Sequence, residues 1–543
     1  MTQLGTRYAK EMEKMLRGLI ILSWNYKVRR LGNCLFNGSC NASRFSLREL
    51  STSRSNRERL GDEFATPFKD ISDLLSPAQA TEILRANEVS RILTRPGAVK
   101  TVEWNQLGSN TPIEDTLAVA HCKPSKGMLF GVFDGHGGPS CAQVLAKRIF
   151  PYIATALTHS RKLRSFFSQE HSKDIRNEFL EDVADTVDLV PELHELYTLS
   201  LLKYVAEKRK DDSTLLEAIE FDGTSVVNST IGGDEINDIA ASLEEAFLRL
   251  DDDLSKEALA SRKDQNVALA TMTVAMSGAV SSVAHVHNNI LSVANVGDCQ
   301  AVLGTLGEDG RWMTTKLSSE HTVENSKELN RLFSEHPPKE KDSIIVMDRL
   351  LGQLMPLRAF GDFRFKWEKA VIQEHAVPHF SKKAVPPNYC TPPYLTARPE
   401  IMQRHLSNND KFLILATDGL WDQLTPSQAV KLVGEHMLGH EALGPLILPP
   451  TDVSLGVVHD LLLKRRENLS KRPEDMNVAT HLLRHALAGT ATGLDHDRLA
   501  QLLTMPEDIV RHFRDDISII VVYFDSEYLL KYPFHAEMAA ELA

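Results

Sequence analysis

The sequence Gly131-Val132-Phe133-Asp134-Gly135-His136-Gly137-Gly138 is the most informative stretch of the chain, because in it an apolar strand runs into a glycine-rich turn. The turn encloses an acid and a histidine, which a plain hairpin turn does not require. Glycine lets the backbone approach a ligand closely and leaves the carbonyl of Gly135 free to coordinate. The stretch therefore predicts a functional site at a sheet edge, with Asp134 and His136 in it.

Acidic residues mark three further strand ends. The segments are Ile113-Glu114-Asp115, Ala416-Thr417-Asp418-Gly419-Leu420-Trp421-Asp422 and Arg514-Asp515-Asp516-Ile517. Each acid taken alone fits a helix cap or an Asx turn. If they converge with Asp134, the carboxylates repel one another unless divalent cations lie between them. Oxygen ligands without clustered His or Cys favour Mg²⁺ or Mn²⁺.

The alternation of short apolar runs with helical patterns indicates the fold class. Runs rich in Val and Ile, bounded by Gly, Asp and Asn, predict strands: Gly127–Phe133, Thr273–Val286, Ile290–Val296, Lys411–Thr417 and Ile517–Phe524. Helical patterns cover Ser140–Leu157, Ala240–Leu254 and Pro426–His436, and Ser76-Pro77 is typical of a helix start. The class is therefore α+β or layered α/β.

Composition excludes several classes of protein. The 543 residues carry a net charge of −12, which argues against binding to nucleic acid. The six cysteines lie far apart, so neither a disulfide framework nor a zinc site is indicated. The apolar run Gly18–Leu22 is far shorter than the ~20 residues that span a bilayer, so we expect no transmembrane segment.

The first sixty residues have the chemistry of a transit peptide. No acid occurs from Met15 to Arg48, where arginines recur among Leu, Phe and Ser. A basic leader without a targeting role is the alternative reading. Because Glu11 and Glu13 do not suit a transit peptide, Met15 is a candidate start residue.

In order and composition, the four acidic blocks resemble the signature motifs of the metal-dependent protein phosphatases of the 2C type. The resemblance implies an α+β fold, a central β-sandwich of two antiparallel sheets flanked by helices on both sides. It also implies two Mg²⁺ or Mn²⁺ ions and a metal-bridged hydroxide that attacks phosphoserine or phosphothreonine in line. The metals are expected at one end of the sandwich.

The resemblance also assigns roles to residues. Asp134 bridges the two metals, Asp418 and Asp515 complete one site, and Glu114 and the Gly135 carbonyl complete the other. Asp115 holds a metal-bound water, and His136 protonates the leaving oxygen. Asp298 and Asp422 match positions of a weaker third metal, and Gly361-Asp362 matches a block that we interpret as structural. Most relatives carry an Arg four residues before the Glu of the Glu-Asp pair, and that Arg binds the substrate phosphate. In this chain the position is Asn110, whose amide can donate hydrogen bonds to the phosphate but carries no charge.

Further blocks resemble the pyruvate dehydrogenase phosphatase branch of that family. These are Ser109–Asp115, Arg349–Asp362, Pro386–Ala397 and Asn477–Ala486. This branch implies a mitochondrial matrix enzyme that acts on the phosphorylated pyruvate dehydrogenase component. It also implies docking on the lipoyl domain of the acetyltransferase core, a regulatory subunit, and a Ca²⁺ effect through partner docking, although no EF-hand loop is present.

The organisation expected from these patterns has four parts. They are a leader at 1–60, a helical lead-in at 61–98, a catalytic domain at 99–525 and a tail at 526–543. Within the catalytic domain, 159–238 reads as a helical insertion and 366–399 as an extended, proline-punctuated one. Two alternatives stay open at this point: the same chemistry on another phosphoprotein, and a non-catalytic phosphatase-like scaffold, which the retained acids disfavour.

Overall fold

Two antiparallel β-sheets form the centre of the protein. They are seen in a computed structural model that describes residues 75–160, 162–163, 175–183, 191–221, 237–446, 454–470, 472–490 and 493–532. The predicted leader, the lead-in up to residue 74 and the tail from residue 533 lie outside the described residues, so the structure does not address them.

The first sheet has six strands in the order β1-β2-β17-β14-β8-β9. Their bounds are β1 Val89–Ile92, β2 Val99–Leu107, β8 Gln300–Leu306, β9 Trp312–Lys316, β14 Asp410–Ala416 and β17 Ile517–Phe524. The second sheet has the order β13-β7-β6-β4-β3-β5, with β12 paired to β6. Its bounds are β3 Thr116–Cys122, β4 Gly127–His136, β5 Leu180–Asp182, β6 Gly278–His287, β7 Ile290–Val296, β12 Phe360–Gly361 and β13 Glu400–His405. Two small hairpins lie outside these sheets, β10 Ile345–Val346 with β11 Arg349–Leu350, and β15 Gly489–Thr490 with β16 Gly493–Leu494.

Helices cover the outer faces of both sheets. The bounds are α1 Pro77–Arg85, α2 Ser140–Leu157, α3 Ile175–Phe179, α4 Pro191–Phe221, α5 Ile239–Leu259, α6 Gln265–Met276, α7 Ser326–Glu335, α8 Lys341–Ile344, α9 Lys369–Val371, α10 Val377–Phe380, α11 Asp418–Trp421, α12 Pro426–Leu443, α13 Leu455–Leu469, α14 Val478–Ala488, α15 His496–Thr504, α16 Glu507–Val510 and α17 Ser526–Lys531. Helix α2 packs on β3 and β4, and α5 packs on β7 and β13. On the other sheet, α12 packs on β8 and β9, and α14 on β2 and β17. The predicted sandwich flanked by helices on both sides is confirmed.

Burial on both faces explains why the central strands read as continuous apolar runs. The seven residues from Gly127 to Phe133 in β4 are all buried, and so are the first six residues of β17. One face of each sheet meets the other sheet, where β4 contacts β14 and β17, and the opposite face meets helices. A strand enclosed on two sides has no solvent face, so the alternation of apolar and polar residues disappears.

Two predictions of secondary structure were wrong in part. The run Thr273–Val286 was predicted as one strand, but α6 continues to Met276 and β6 begins at Gly278. Short apolar runs do not distinguish a strand from a buried helix end. The segment 366–399 was predicted to be extended, but helical turns fill Lys369–Phe380 because Ile372 and Ala376, four residues apart, are fully buried.

Other predicted elements agree with the structure. Ser76 caps α1 in a capping box with Gln79, and α2 spans Ser140–Leu157 as predicted. Within the predicted insertion at 159–238, the described part contains the long helix α4, where Tyr197 and Tyr204 are buried. No helix among the described residues is both long enough and apolar enough to cross a membrane.

Candidate active site

The end of β4 places Asp134, Gly135 and His136 at one edge of the sandwich. In the ladder with β6, Asp134 lies opposite Val280 and His136 lies opposite Gly278. A Cβ atom on Gly135 would come within 2.5 Å of the Glu114 carbonyl oxygen, so only glycine allows the loop before β3 to approach β4. The same edge receives the end of β14 and the start of β17, which pair with each other. The strand ends therefore bring the four acidic blocks together, as predicted.

The carboxylates at this edge influence one another strongly. Burial raises the pKa of Asp134 well above its usual range, and Asp418, Asp115, Asp298 and Asp515 raise it further, in that order. Asp115 is buried, Asp134 and Asp418 are half-buried, and Asp515 is exposed, so the group opens from the interior towards solvent. Such a concentration of mutually repelling carboxylates is the donor set that a hard divalent cation stabilises.

A second subset of acids surrounds Asp418. Burial raises the pKa of Asp418, and the carboxylates of Asp298 and Asp422 add to the effect. Burial likewise raises the pKa of Asp298 to about 6. Asp298 and Asp422, which the resemblance assigns to a weaker third metal, therefore lie close enough to Asp418 to interact with it.

The carboxylates do not yet form a closed coordination sphere. In the part of the chain that the structure describes, no three His, Cys, Asp or Glu side chains surround one point at metal-binding spacing. Several oxygens accept hydrogen bonds from the protein instead. Glu114 Oε1 accepts from the Gly138 amide at 2.6 Å, and Asp115 Oδ2 accepts from the Thr417 hydroxyl at 2.8 Å. The ligand types fit the predicted metals, but the side chains would have to turn to enclose them.

Asp516 organises the loop that leads to Glu114. It is buried, and its carboxylate accepts from the backbone amides of Ser109 at 2.5 Å, Asn110 at 2.8 Å and Glu114 at 2.8 Å. The side-chain amide of Asn110 also donates to Asp516, at 3.1 Å. The role of Asn110 in phosphate binding stays a prediction, and one of its amide protons is already used within the protein. Sequence reasoning had quoted Asp516 without giving it a role.

His136 has a carboxylate partner that sequence reasoning interpreted as structural. Its Nε2 lies 2.5 Å from Oδ2 of Asp362, whose side chain is only 5% exposed. Burial would lower the pKa of His136, but the Asp362 carboxylate outweighs that effect and the pKa is raised. A Cβ atom on Gly278 would lie 2.2 Å from both partners, so glycine leaves the space in which they meet. The strand-then-acid pattern of Phe360-Gly361-Asp362, the same signal as at Asp134, could have identified this residue.

Comparison with known proteins shows which family the chain belongs to. A family profile described as protein phosphatase 2C matches residues 200–493. The chain is 40% identical over 466 residues to the Homo sapiens protein named pyruvate dehydrogenase (acetyl-transferring) phosphatase 1, mitochondrial, covering 83% of each chain. It is 39% identical to the Homo sapiens phosphatase 2 of the same name, covering 85% of this chain and 86% of that one. The Saccharomyces cerevisiae phosphatase 1 of that name is 27% identical, covering 83% and 73%. This chain belongs to the protein phosphatase 2C family.

Proposed function

We propose that this protein is a metal-dependent serine/threonine phosphatase that removes phosphate from the phosphorylated pyruvate dehydrogenase component and so reactivates the complex. The observation that carries the chemistry is the set of interacting carboxylates beside His136 at one edge of the sandwich. The names of the relatives, which cover more than four fifths of the chain, support the substrate and a mitochondrial location.

The donor set fits two Mg²⁺ or Mn²⁺ ions, since every candidate ligand is an oxygen. We assign Asp134, Asp418 and Asp515 to one ion, and Asp134, Glu114 and the Gly135 carbonyl to the other. Asp298 and Asp422 would hold a weaker third ion. When bound, such ions lower the pKa of water and neutralise charge on the phosphoryl oxygens.

The chain's own side chains supply the remaining chemistry. The raised pKa of His136 keeps a proton available for the serine oxygen, which is a poor leaving group as an alkoxide. Asp362 holds the ring by its charge-assisted hydrogen bond. We assign Asp115, whose Oδ2 accepts from the Thr417 hydroxyl, to holding a metal-bound water, and Asn110 to contacting the phosphate.

Further parts of the proposal concern setting and partners. We place the enzyme in the mitochondrial matrix, with residues 1–60 as its transit peptide and 99–525 as its catalytic domain. We further propose docking on the lipoyl domain of the acetyltransferase core, a regulatory subunit, and a Ca²⁺ effect that acts through docking. The relatives' printed names support the location and the substrate only.

The chemistry is tested by phosphate release from a phosphoserine peptide. With Mg²⁺ or Mn²⁺, the wild type should release phosphate, and excess chelator should stop the reaction. Asp418→Asn should abolish release while the unfolding midpoint stays within a few degrees of the wild type. Release that persists in chelator, or wild-type turnover by Asp418→Asn, would contradict the assignment.

A further inference from the structure

A short turn beside the carboxylates exposes both a cation and apolar side chains. It comprises residues 509–514, from the last two residues of α16 towards β17, and is called here the 509–514 turn. The Phe513 amide donates to the Val510 carbonyl at 2.9 Å, and the Arg514 amide donates to the same carbonyl at 3.1 Å, which fixes the backbone of the turn. Ile509 is 37% exposed, Phe513 is 38% exposed, and Arg511 is also exposed.

The turn is attached directly to the loop that carries Asn110. Nη2 of Arg514 donates to the Gly108 carbonyl at 2.8 Å, and the Ser109 hydroxyl donates to the Arg514 carbonyl at 2.9 Å. The next residue, Asp515, is one of the exposed carboxylates of the site. The exposed side chains of the turn therefore sit on a backbone that is held at the entrance to the candidate active site.

Arg511 carries the positive charge for binding a phosphoryl group that Asn110 lacks. A phosphoryl dianion must approach several carboxylates, and Asn110 is neutral and already donates to Asp516. Nε and Nη1 of Arg514 are buried, so that guanidinium is turned inward. Arg511 is exposed and lies four residues before Asp515, in the turn that Arg514 ties to the Gly108 carbonyl. A cation open to solvent is thus held in the short segment that leads into the carboxylates.

We propose that the 509–514 turn binds the substrate polypeptide around its phosphoserine, with Arg511 pairing with the phosphoryl group. Phe513 and Ile509 contact an apolar side chain next to that serine. The inference rests on the proposed phosphatase function and deepens it. The turn matches the substrate in charge, because guanidinium and phosphate form strong charge-assisted hydrogen bonds. It also matches in position, because it leads directly to Asp515. Exposed aromatic area beside a reacting group is typical of a contact surface for a partner.

The experiment uses full-length Arg511→Gln and Phe513→Ala variants. Matched controls are Arg311→Gln, whose side chain is 87% exposed, and Leu530→Ala, a residue that is 67% exposed. Arg311 follows the end of β8, and Leu530 follows the end of β17. The candidate site lies at the start of both strands, so the two control residues are at the far end. The probes are inorganic phosphate, p-nitrophenyl phosphate, and two phosphoserine peptides that carry either Leu or Gly beside the serine.

Each variant has its own expected signature. Arg511→Gln should weaken the binding of inorganic phosphate, measured by calorimetry with Mg²⁺ present, by about tenfold, and should raise KM for all three substrates. Phe513→Ala should raise KM for the Leu peptide by about fivefold and change the Gly peptide and p-nitrophenyl phosphate by less than about twofold. The controls should match the wild type.

Three results would overturn the inference. The first is unchanged phosphate binding by Arg511→Gln, and the second is an equal effect of Phe513→Ala on the Leu and Gly peptides. The third is a difference in molar mass between either variant and the wild type in light scattering, which would make the turn a contact between copies of the chain. A wild type without metal-dependent phosphate release would defeat the proposed function itself. An active wild type with insensitive variants would defeat this inference alone.

Discussion

Replacing Asp362 by Asn isolates the role of His136 as a proton donor. The substitution preserves the size of the side chain and removes its charge. The contact it alters joins His136 Nε2 to Asp362 Oδ2 at 2.5 Å, in a position where the carboxylate is almost fully buried. The Asp362 amide donates to the Ser277 carbonyl at 2.9 Å, so the backbone should keep its place in the variant.

The size of the effect follows from the hydrogen bond and from the sign of the pKa shift. Asp362 holds the pKa of His136 above its usual value, against the lowering effect of burial. Without that charge the pKa falls, and a smaller fraction of His136 is protonated at neutral pH. A hydrogen bond to a charged group contributes about 1.5–3 kcal/mol. We therefore expect kcat/KM for a phosphoserine peptide to fall by about 10- to 100-fold.

The assay compares leaving groups and pH. With p-nitrophenyl phosphate, whose leaving group needs no proton, the loss should be less than about threefold. With the peptide, the alkaline limb of the pH–rate profile should move to lower pH. His136→Ala combined with Asp362→Asn should be no slower than His136→Ala alone, because both changes remove one function. Equal losses on the two substrates, or additive losses in the double variant, would refute the reasoning.

Three further outcomes are expected. Mg²⁺ should raise the unfolding midpoint of the wild type but not of Asp134→Asn in a thermal shift assay, and an equal rise in both would remove Asp134 from the metal site. Burial lowers the pKa of His285 to about 3 and of His481 to about 2. Both therefore stabilise the fold fully above pH 6.5 and progressively less below it. In urea unfolding, the loss of stability between pH 7.5 and pH 5.5 should be smaller by about 1.4 kcal/mol in His285→Gln than in the wild type. Arg148→Met leaves the buried Glu257 carboxylate, which accepts two bonds of 2.7 Å from Arg148, without that cation, although the Ser200 hydroxyl still donates to it. Urea unfolding should show a loss of about 3–5 kcal/mol, which Arg148→Met/Glu257→Leu should largely restore, and no recovery would contradict the pairing argument.

The parts of the fold that depend on local pattern could be predicted from the sequence. Val- and Ile-rich runs with an acid at one end identified β4, β14 and β17, because a residue next to either end of a strand lies at the sheet edge. The helical turns in the first half of the insertion at 366–399 were not predicted, because its prolines suggest an extended chain. The burial of Ile372 and Ala376 favours helical turns instead. Tertiary packing decided that segment.

The candidate site divides in the same way. Asp134, Asp418 and Asp515 were found because each follows or precedes an apolar run. Asp362 was interpreted as structural and Asp516 was given no role, because their partners are 226 and 402–407 residues away in sequence. A local pattern can mark such a residue as a candidate, but it does not identify a partner at that distance. The hydrogen bonds that Glu114 and Asp115 accept from Gly138 and Thr417 could not be predicted either, since they depend on which N–H and O–H groups lie nearby.

The measurement that tests the central claim most directly is phosphate release from phosphorylated pyruvate dehydrogenase by the full-length protein. It is made with Mg²⁺, with excess chelator, and beside an unrelated phosphoprotein at equal phosphoserine concentration. Our account predicts release that requires the metal and is faster from the dehydrogenase. Equal rates on the two phosphoproteins would contradict the assigned substrate, and no release from either would contradict the phosphatase itself.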